Sequence, residues 1–108
     1  MRPVVITQTN TGATVPVPLD LYIAPFMVTV RCKISGAPVY SLQYTYDNVF
    51  DTASGSIDWL TSLDMPAGTA ASSEATFDNP ISAIRLVIAS VGNATDSVKM
   101  TINQAGIV

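Results

Sequence analysis

The sequence predicts an all-β protein, a single antiparallel β-sandwich of jelly-roll or immunoglobulin-like build with about six to eight short strands. Three observations carry that expectation. Residues 26–35 and 40–46, and again 84–88 and 98–102, alternate apolar with polar side chains; a period of two turns one face of a strand to a core and the other to water. Turn-forming residues punctuate the boundaries: Asn10 and Gly12, Gly36 and Pro38, Asn79 and Pro80, Gly92 and Asn93. No stretch repeats its apolar residues at helical spacing. At 108 residues the chain has room for one domain, 1–108, whose core needs no metal or disulfide to hold it.

Taken in order, residues 3–8 open as a short strand and Thr9 to Gly12 as a turn. Residues 15–19 are extended, but Pro16 and Pro18 remove two backbone donors, which confines the stretch to an edge strand or a loop. An edge of the same domain and an arm laid on a neighbouring subunit both satisfy that constraint. Pro25 sits where a strand tolerates proline, just before the run that begins at Phe26.

In that run Phe26, Val28, Val30, Cys32 and Ile34 share one face, and Tyr40, Leu42, Tyr44 and Tyr46 share one in the next. Joined by the tight connection at Ser35 to Pro38, the two read as a hairpin. An even register pairs Ile34 with Tyr40, Cys32 with Leu42 and Val30 with Tyr44, placing Arg31 across from Gln43.

Regular alternation stops after Tyr46. The long irregular loop at about 47–73 holds Phe50, the only tryptophan (Trp59), and Met65; loops of this length are often functional. Ser56 suits the cap of a short helical turn running to Leu60. Trp59 either folds back as a lid on the sandwich end or, with Leu60, anchors a partner, as tryptophan often does at interfaces. The chain then gives a short strand at 74–77 and a second hairpin. Ile84, Leu86 and Ile88 face Val98, Met100 and Ile102 across the turn at 91–96, with Arg85 and Lys99 on its polar side.

Composition narrows the chemistry. There is no histidine, which removes the commonest general base and metal ligand. The single cysteine, Cys32, allows no intrachain disulfide and falls on an apolar strand face, as a small buried hydrophobe does. The six glycines are spread as turn glycines and form no phosphate loop. The acidic residues lie mostly in turns. No catalytic residue, cofactor or metal ligand set is assigned, and enzyme activity is not expected. Asp47, Asn48 and Asp51 bring together oxygen ligands that Ca²⁺ accepts, in a spacing that completes no known loop and equally suits a solvated turn. Asn93-Ala94-Thr95 meets the glycosylation pattern and reads as a plain hairpin turn.

The formal charge of −3, with five scattered basic residues, argues against nucleic acid and an anionic membrane as partners. No apolar run reaches the length of a spanning helix. The apolar run at 4–6 is too short for a signal peptide, so synthesis and folding in a cytoplasm are expected. Only 12% of residues are charged, about half the usual ~25%. Either an uncharged Thr/Ser/Asn surface or a surface intended for burial against protein accounts for this. Interface candidates are Val49, Phe50, Trp59 and Leu60 in the loop and Val15 and Val17 in the proline-marked segment.

Three stretches together are similar to small structural proteins of tailed-bacteriophage virions: the opening 1–8, the central 39–48 with its Gln43-Tyr44-Thr45-Tyr46-Asp47 motif, and the closing 84–88 with 101–106 ending in Gln104-Ala105-Gly106. The resemblance covers most of the chain outside 49–73. It implies a capsid decoration or cement protein that binds major capsid protein or other virion proteins and its own copies, as a homo-oligomer located on the virion. It implies no small-molecule substrate. A head-to-tail or tail adaptor is the neighbouring alternative. A carbohydrate-binding β-sandwich is the distant one, with Trp59 joining Tyr40, Tyr44 or Tyr46 as a stacking platform.

Overall fold

The computed structural model describes residues 4–19, 27–50 and 54–105. Phe26, Asp51, the segment 20–25, and from the stretches of the resemblance residues 1–3 and Gly106, lie outside them. The strands are β1 (Val4–Gln8), β2 (Gly12–Ala13), β3 (Val17–Pro18), β4 (Met27–Ser35), β5 (Val39–Thr45), β6 (Leu60–Thr61), β7 (Ser73–Phe77), β8 (Ala83–Ser90) and β9 (Ser97–Ala105). They form two antiparallel sheets, one ordered β1-β9-β4-β7 and the other β2-β8-β5-β6, with β3 also on β8. Among the described residues there is no α-helix; a single 3₁₀ turn spans Ser54–Ser56. That turn ends where the helical turn opened by Ser56 was expected to begin, and residues 57–59 are irregular.

The faces expected from alternation are the faces observed except in β5, where Ser41 and Thr45 on the expected polar side are buried, and just beyond it, where Tyr46, expected to face inward, is exposed. Val28, Val30, Cys32, Tyr40, Leu42, Ile84, Leu86, Ile88, Val98, Met100 and Ile102 are buried, and residues of both sheets join one apolar cluster. Tyr44 is half-buried at its margin. The neighbours, however, are exchanged. Neither expected hairpin exists: β4 pairs with β9 and β7, and β5 pairs with β8 and β6. Cys32 lies beside Met100 and Ser73, not Leu42; Arg31 lies beside Thr101 and Glu74, not Gln43.

The reason is that both connections cross from one sheet to the other. A two-strand unit whose strands bend apart into facing layers keeps its apolar residues pointing inward, so alternation alone does not distinguish it from a hairpin. One buried carboxylate ties the two crossings together. Asp96, 3% exposed, accepts the backbone N–H of Gly92 at 2.8 Å and of Asn93 at 2.9 Å through one oxygen. Its other oxygen lies against Gly36, which has φ +85°, and a Cβ there would stand 1.9 Å from it. The N–H of Asn93 foremost, then that of Ala37 from the other crossing, holds the Asp96 carboxyl below the usual carboxylate range, against an opposing effect of burial.

The flanks close differently. On one side β2 and β3 form the interrupted edge strand that Pro16 and Pro18 predicted, bonded along β8 through Thr14 and Leu19. On the other, the stretch after β6 is bound to β5 rather than free: Ser62 N–H donates to the Leu42 carbonyl (2.8 Å), Leu42 N–H to Met65 (3.1 Å) and Tyr40 N–H to Thr69 (2.9 Å). This seats Met65 fully inside the core. The Tyr40 hydroxyl, inside the core, donates to the Ala71 carbonyl at 2.7 Å and satisfies a polar group that burial would otherwise penalise.

Candidate interaction surface

Residues 47–50 leave β5, and residues 54–59 lead back to β6. The base of the loop is pinned by side chains of the kind that favour turns. Asp58 N–H donates to Asp47 Oδ2 at 2.7 Å, and Thr45 Oγ1 donates to the Asp58 carbonyl at 2.9 Å while accepting the Asp47 N–H at 3.0 Å. Phe50 N–H donates to Asn48 Oδ1 at 2.9 Å. Oxygens of Asp47 and Asn48 are therefore engaged by backbone donors, and the described residues contain no group of three His, Cys, Asp or Glu able to hold a metal. Asp51, the other residue of the expected Ca²⁺ turn, lies outside the described residues.

Trp59 emerges at the end of this return. Two positions from Thr61, which pairs with Gln43, it shares the outward face with Gln43 and Arg85. The Arg85 guanidinium carbon stands 4.3 Å from the indole centroid, and its Nε donates to Gln43 Oε1 at 2.7 Å. Burial in this stack lowers the Arg85 pKa from its ordinary value. Trp59 is thus neither a lid on the end of the molecule nor a fully free anchor; it is a half-buried plate fixed over a sheet face by a cation–π contact.

Leu60 pairs with Tyr44 at the sheet margin and is 37% exposed. The Tyr44 ring meets Tyr46 edge-on at 5.9 Å and Phe77 of the other sheet at 5.2 Å, geometries that aromatic pairs favour. Tyr46 remains 54% exposed and Phe50 80%, whereas Val49 is half-buried. Leu63, which sequence reasoning missed, is 96% exposed. It stands at the outward bulge between Ser62 and Met65, both of which are bonded to Leu42.

The proline-marked segment separates into two outcomes. Val15 is 80% exposed, but Val17 is buried against the core and pairs with Ile84, so it offers no interface surface. Val15 also lies at the β2–β3 edge of its sheet and Leu60 at the β6 edge, with β8 and β5 between them. Spacing of about 4.8 Å per strand keeps them from forming one contact patch. Tyr40 is wholly inside the core and Trp59 is on the outer side of the same sheet, so these two rings form no common sugar-stacking platform.

Comparison with protein-family models, with curated proteins and with solved structures found no match. Among the described residues, the feature with the clearest capacity to act is apolar: Tyr46, Phe50, Leu60 and Leu63 stand in solvent on or just beyond strands β5 and β6. No helix in the described residues is long and apolar enough to cross a membrane.

Proposed function

We propose that this chain is a non-enzymatic structural protein of a tailed-bacteriophage virion that binds the shell, its own copies, or both, and stabilises the particle. The observation that supports this most is the set of exposed apolar side chains about β5 and β6, Tyr46, Phe50, Leu60 and Leu63, of which Phe50 lies in the loop whose base is bonded to the backbone. Burying a Phe or Leu side chain contributes ~1.5–3 kcal/mol, and repetition over a lattice multiplies weak contacts without requiring any one to be strong.

The strand order supports a jelly-roll sandwich as the architecture. With β2 and β3 counted as one interrupted strand, the described residues form eight strands. The first, eighth, third and sixth form one sheet, and the second, seventh, fourth and fifth the other. That is the order of two interleaved Greek keys, an arrangement used by capsid proteins among others.

Particles assembled without the protein test the proposal. Purified chain added to them is expected to co-sediment and to appear as additional density at subunit junctions by electron microscopy. Phe50→Ser and Leu63→Ser, both at exposed positions, are expected to weaken co-sedimentation while leaving the melting temperature of the free protein unchanged. Absence of co-sedimentation with any head or tail fraction overturns the reading. A few copies confined to the neck support the adaptor alternative over decoration.

A further inference from the structure

We propose that the outward face of the β1-β9-β4-β7 sheet carries a binding site for a phosphate or sulfate group, built on Lys33 and Lys99. The exchanged pairing of the strands creates it: β9 lies against β4, so Lys33 and Lys99 are direct cross-strand partners, and Thr7 of β1 is the partner of Lys99 on its other side. One step along the same face, Ser35 is the partner of Ser97. Two ammonium groups and three hydroxyls thus occupy adjacent rows of three neighbouring strands. With Ile34 they line a hollow of about 330 Å³.

Like charges directly opposed across a ladder are destabilising, and among the described residues neither lysine has an ion-pair or hydrogen-bond partner. Arg31, the next cation along β4, is already taken by Glu74, with Nη1 to Oε1 at 2.6 Å. The placement also runs against the composition. Among the described residues, Arg31, Lys33 and Lys99 against Glu74 give this one face a charge of +2 in a chain whose formal charge is −3. A tetrahedral dianion resolves the conflict. It neutralises both ammonium groups, and its several oxygens accept from the hydroxyls of Thr7, Ser35 and Ser97. The site goes beyond the exposed apolar side chains of the proposed function, since it lies on the other sheet.

The test is a titration of the full chain with inorganic phosphate, sulfate, methyl phosphate, acetate and chloride at matched ionic strength, followed by amide chemical shifts. The expected result is a saturable shift confined to residues 7, 33–35 and 97–99 with phosphate and sulfate. Lys33→Gln and Lys99→Gln should each weaken apparent affinity roughly fivefold, and the double variant should abolish saturation. Binding of methyl phosphate as well assigns the site to a phosphoryl group carried on a larger molecule; its exclusion assigns it to the free ion. Shifts that fail to saturate, that acetate or chloride reproduce, or that persist in the double variant overturn the proposal. A melting-temperature rise with phosphate that is equal in wild type and double variant also overturns it, because it reports only general exclusion of the salt from the surface.

Discussion

Replacing Gly36 with alanine separates the strain of one backbone angle from the loss of the contact that couples the two sheet crossings. Gly36 and Gly68 have nearly the same φ, +85° and +90°, yet a Cβ at Gly68 meets nothing within 4 Å while one at Gly36 falls 1.9 Å from Asp96 Oδ1 and 2.4 Å from its Cγ. Holding a non-glycine residue at such an angle costs ~1–2 kcal/mol. The reduced freedom of the unfolded chain offsets ~0.4–1 kcal/mol of that. Gly68→Ala is therefore expected to cost about 1 kcal/mol.

Gly36→Ala carries the same backbone cost and a collision besides. The carboxylate has to retreat by more than an ångström, which breaks its bonds of 2.8 and 2.9 Å to the Gly92 and Asn93 amides. The expected loss is at least twice that of Gly68→Ala. Thermal and urea unfolding followed by circular dichroism measure both, with ~1 kcal/mol corresponding to roughly 4 °C or more at this size. In an Asp96→Ala background the contacts at 1.9 and 2.4 Å are gone and only the residue 96 Cβ at 3.2 Å remains, so Gly36→Ala should then cost far less than in wild type, close to Gly68→Ala. Equal losses for the two glycines, or a Gly36→Ala loss unchanged by the removal of Asp96, refute the coupling.

Further predictions follow from the buried groups and the Trp59 stack. Because the native Asp96 carboxyl titrates below its ordinary value of 3.8, its contribution to stability is complete above that pH and is lost as pH falls through the lower native value; acid melts of Asp96→Ala should lack this limb. Burial pushes the Cys32 thiol from 9.0 up to about 12, so stability should fall as pH rises from 9 toward 12, and Cys32→Val should flatten that decline. A thiol reagent at pH 8 should leave Cys32 untouched until denaturant is added. The Tyr40 hydroxyl, raised to about 12 first by burial and then by Cys32, against a hydrogen bond from Ser73 that lowers it, adds to the loss above pH 10. Arg85→Met removes the cation over Trp59 and should cost ~0.5–1 kcal/mol, with a red shift of indole fluorescence; an unchanged emission maximum contradicts the stack.

Which residues face inward was legible in the sequence save at Thr45 and Tyr46, which exchange sides at the end of β5, and which strands lie side by side was not. Alternation fixes parity, and parity survives when a strand exchanges its hairpin neighbour for one in the other half of the chain. Val30 is buried whether Tyr44 or Ile102 lies beside it. The information that selects the crossing is held by single residues: a glycine at positive φ, the buried Pro38 beside it, and Asp96, whose partners are three and four residues back and on the other crossing. None of these leaves a periodic signal. Met65 illustrates the same limit inside the irregular loop, since its burial follows from backbone bonds to β5 more than twenty residues earlier.

The apolar surface is harder still to read, and Val15 and Val17 show why. Two residues apart, they share a face in any ideal strand, so alternation gives both the same fate. The edge is broken between β2 and β3, however, and the inward positions become Thr14 and Val17, three apart. Thr14 enters because its hydroxyl accepts the Leu86 N–H at 3.0 Å while its own N–H donates to the Leu86 carbonyl at 2.8 Å, which lets a polar residue occupy a core-facing position without penalty. Pro16 cannot donate to β8 and marks the break. Val15 is thereby rotated to solvent. Leu63 reaches solvent by the same means, at an outward bulge whose flanking residues are bonded to Leu42. Val15 and Leu63 therefore reach solvent where an edge segment loses register with its neighbour, which is also where a partner has unpaired backbone and uncovered carbon to meet.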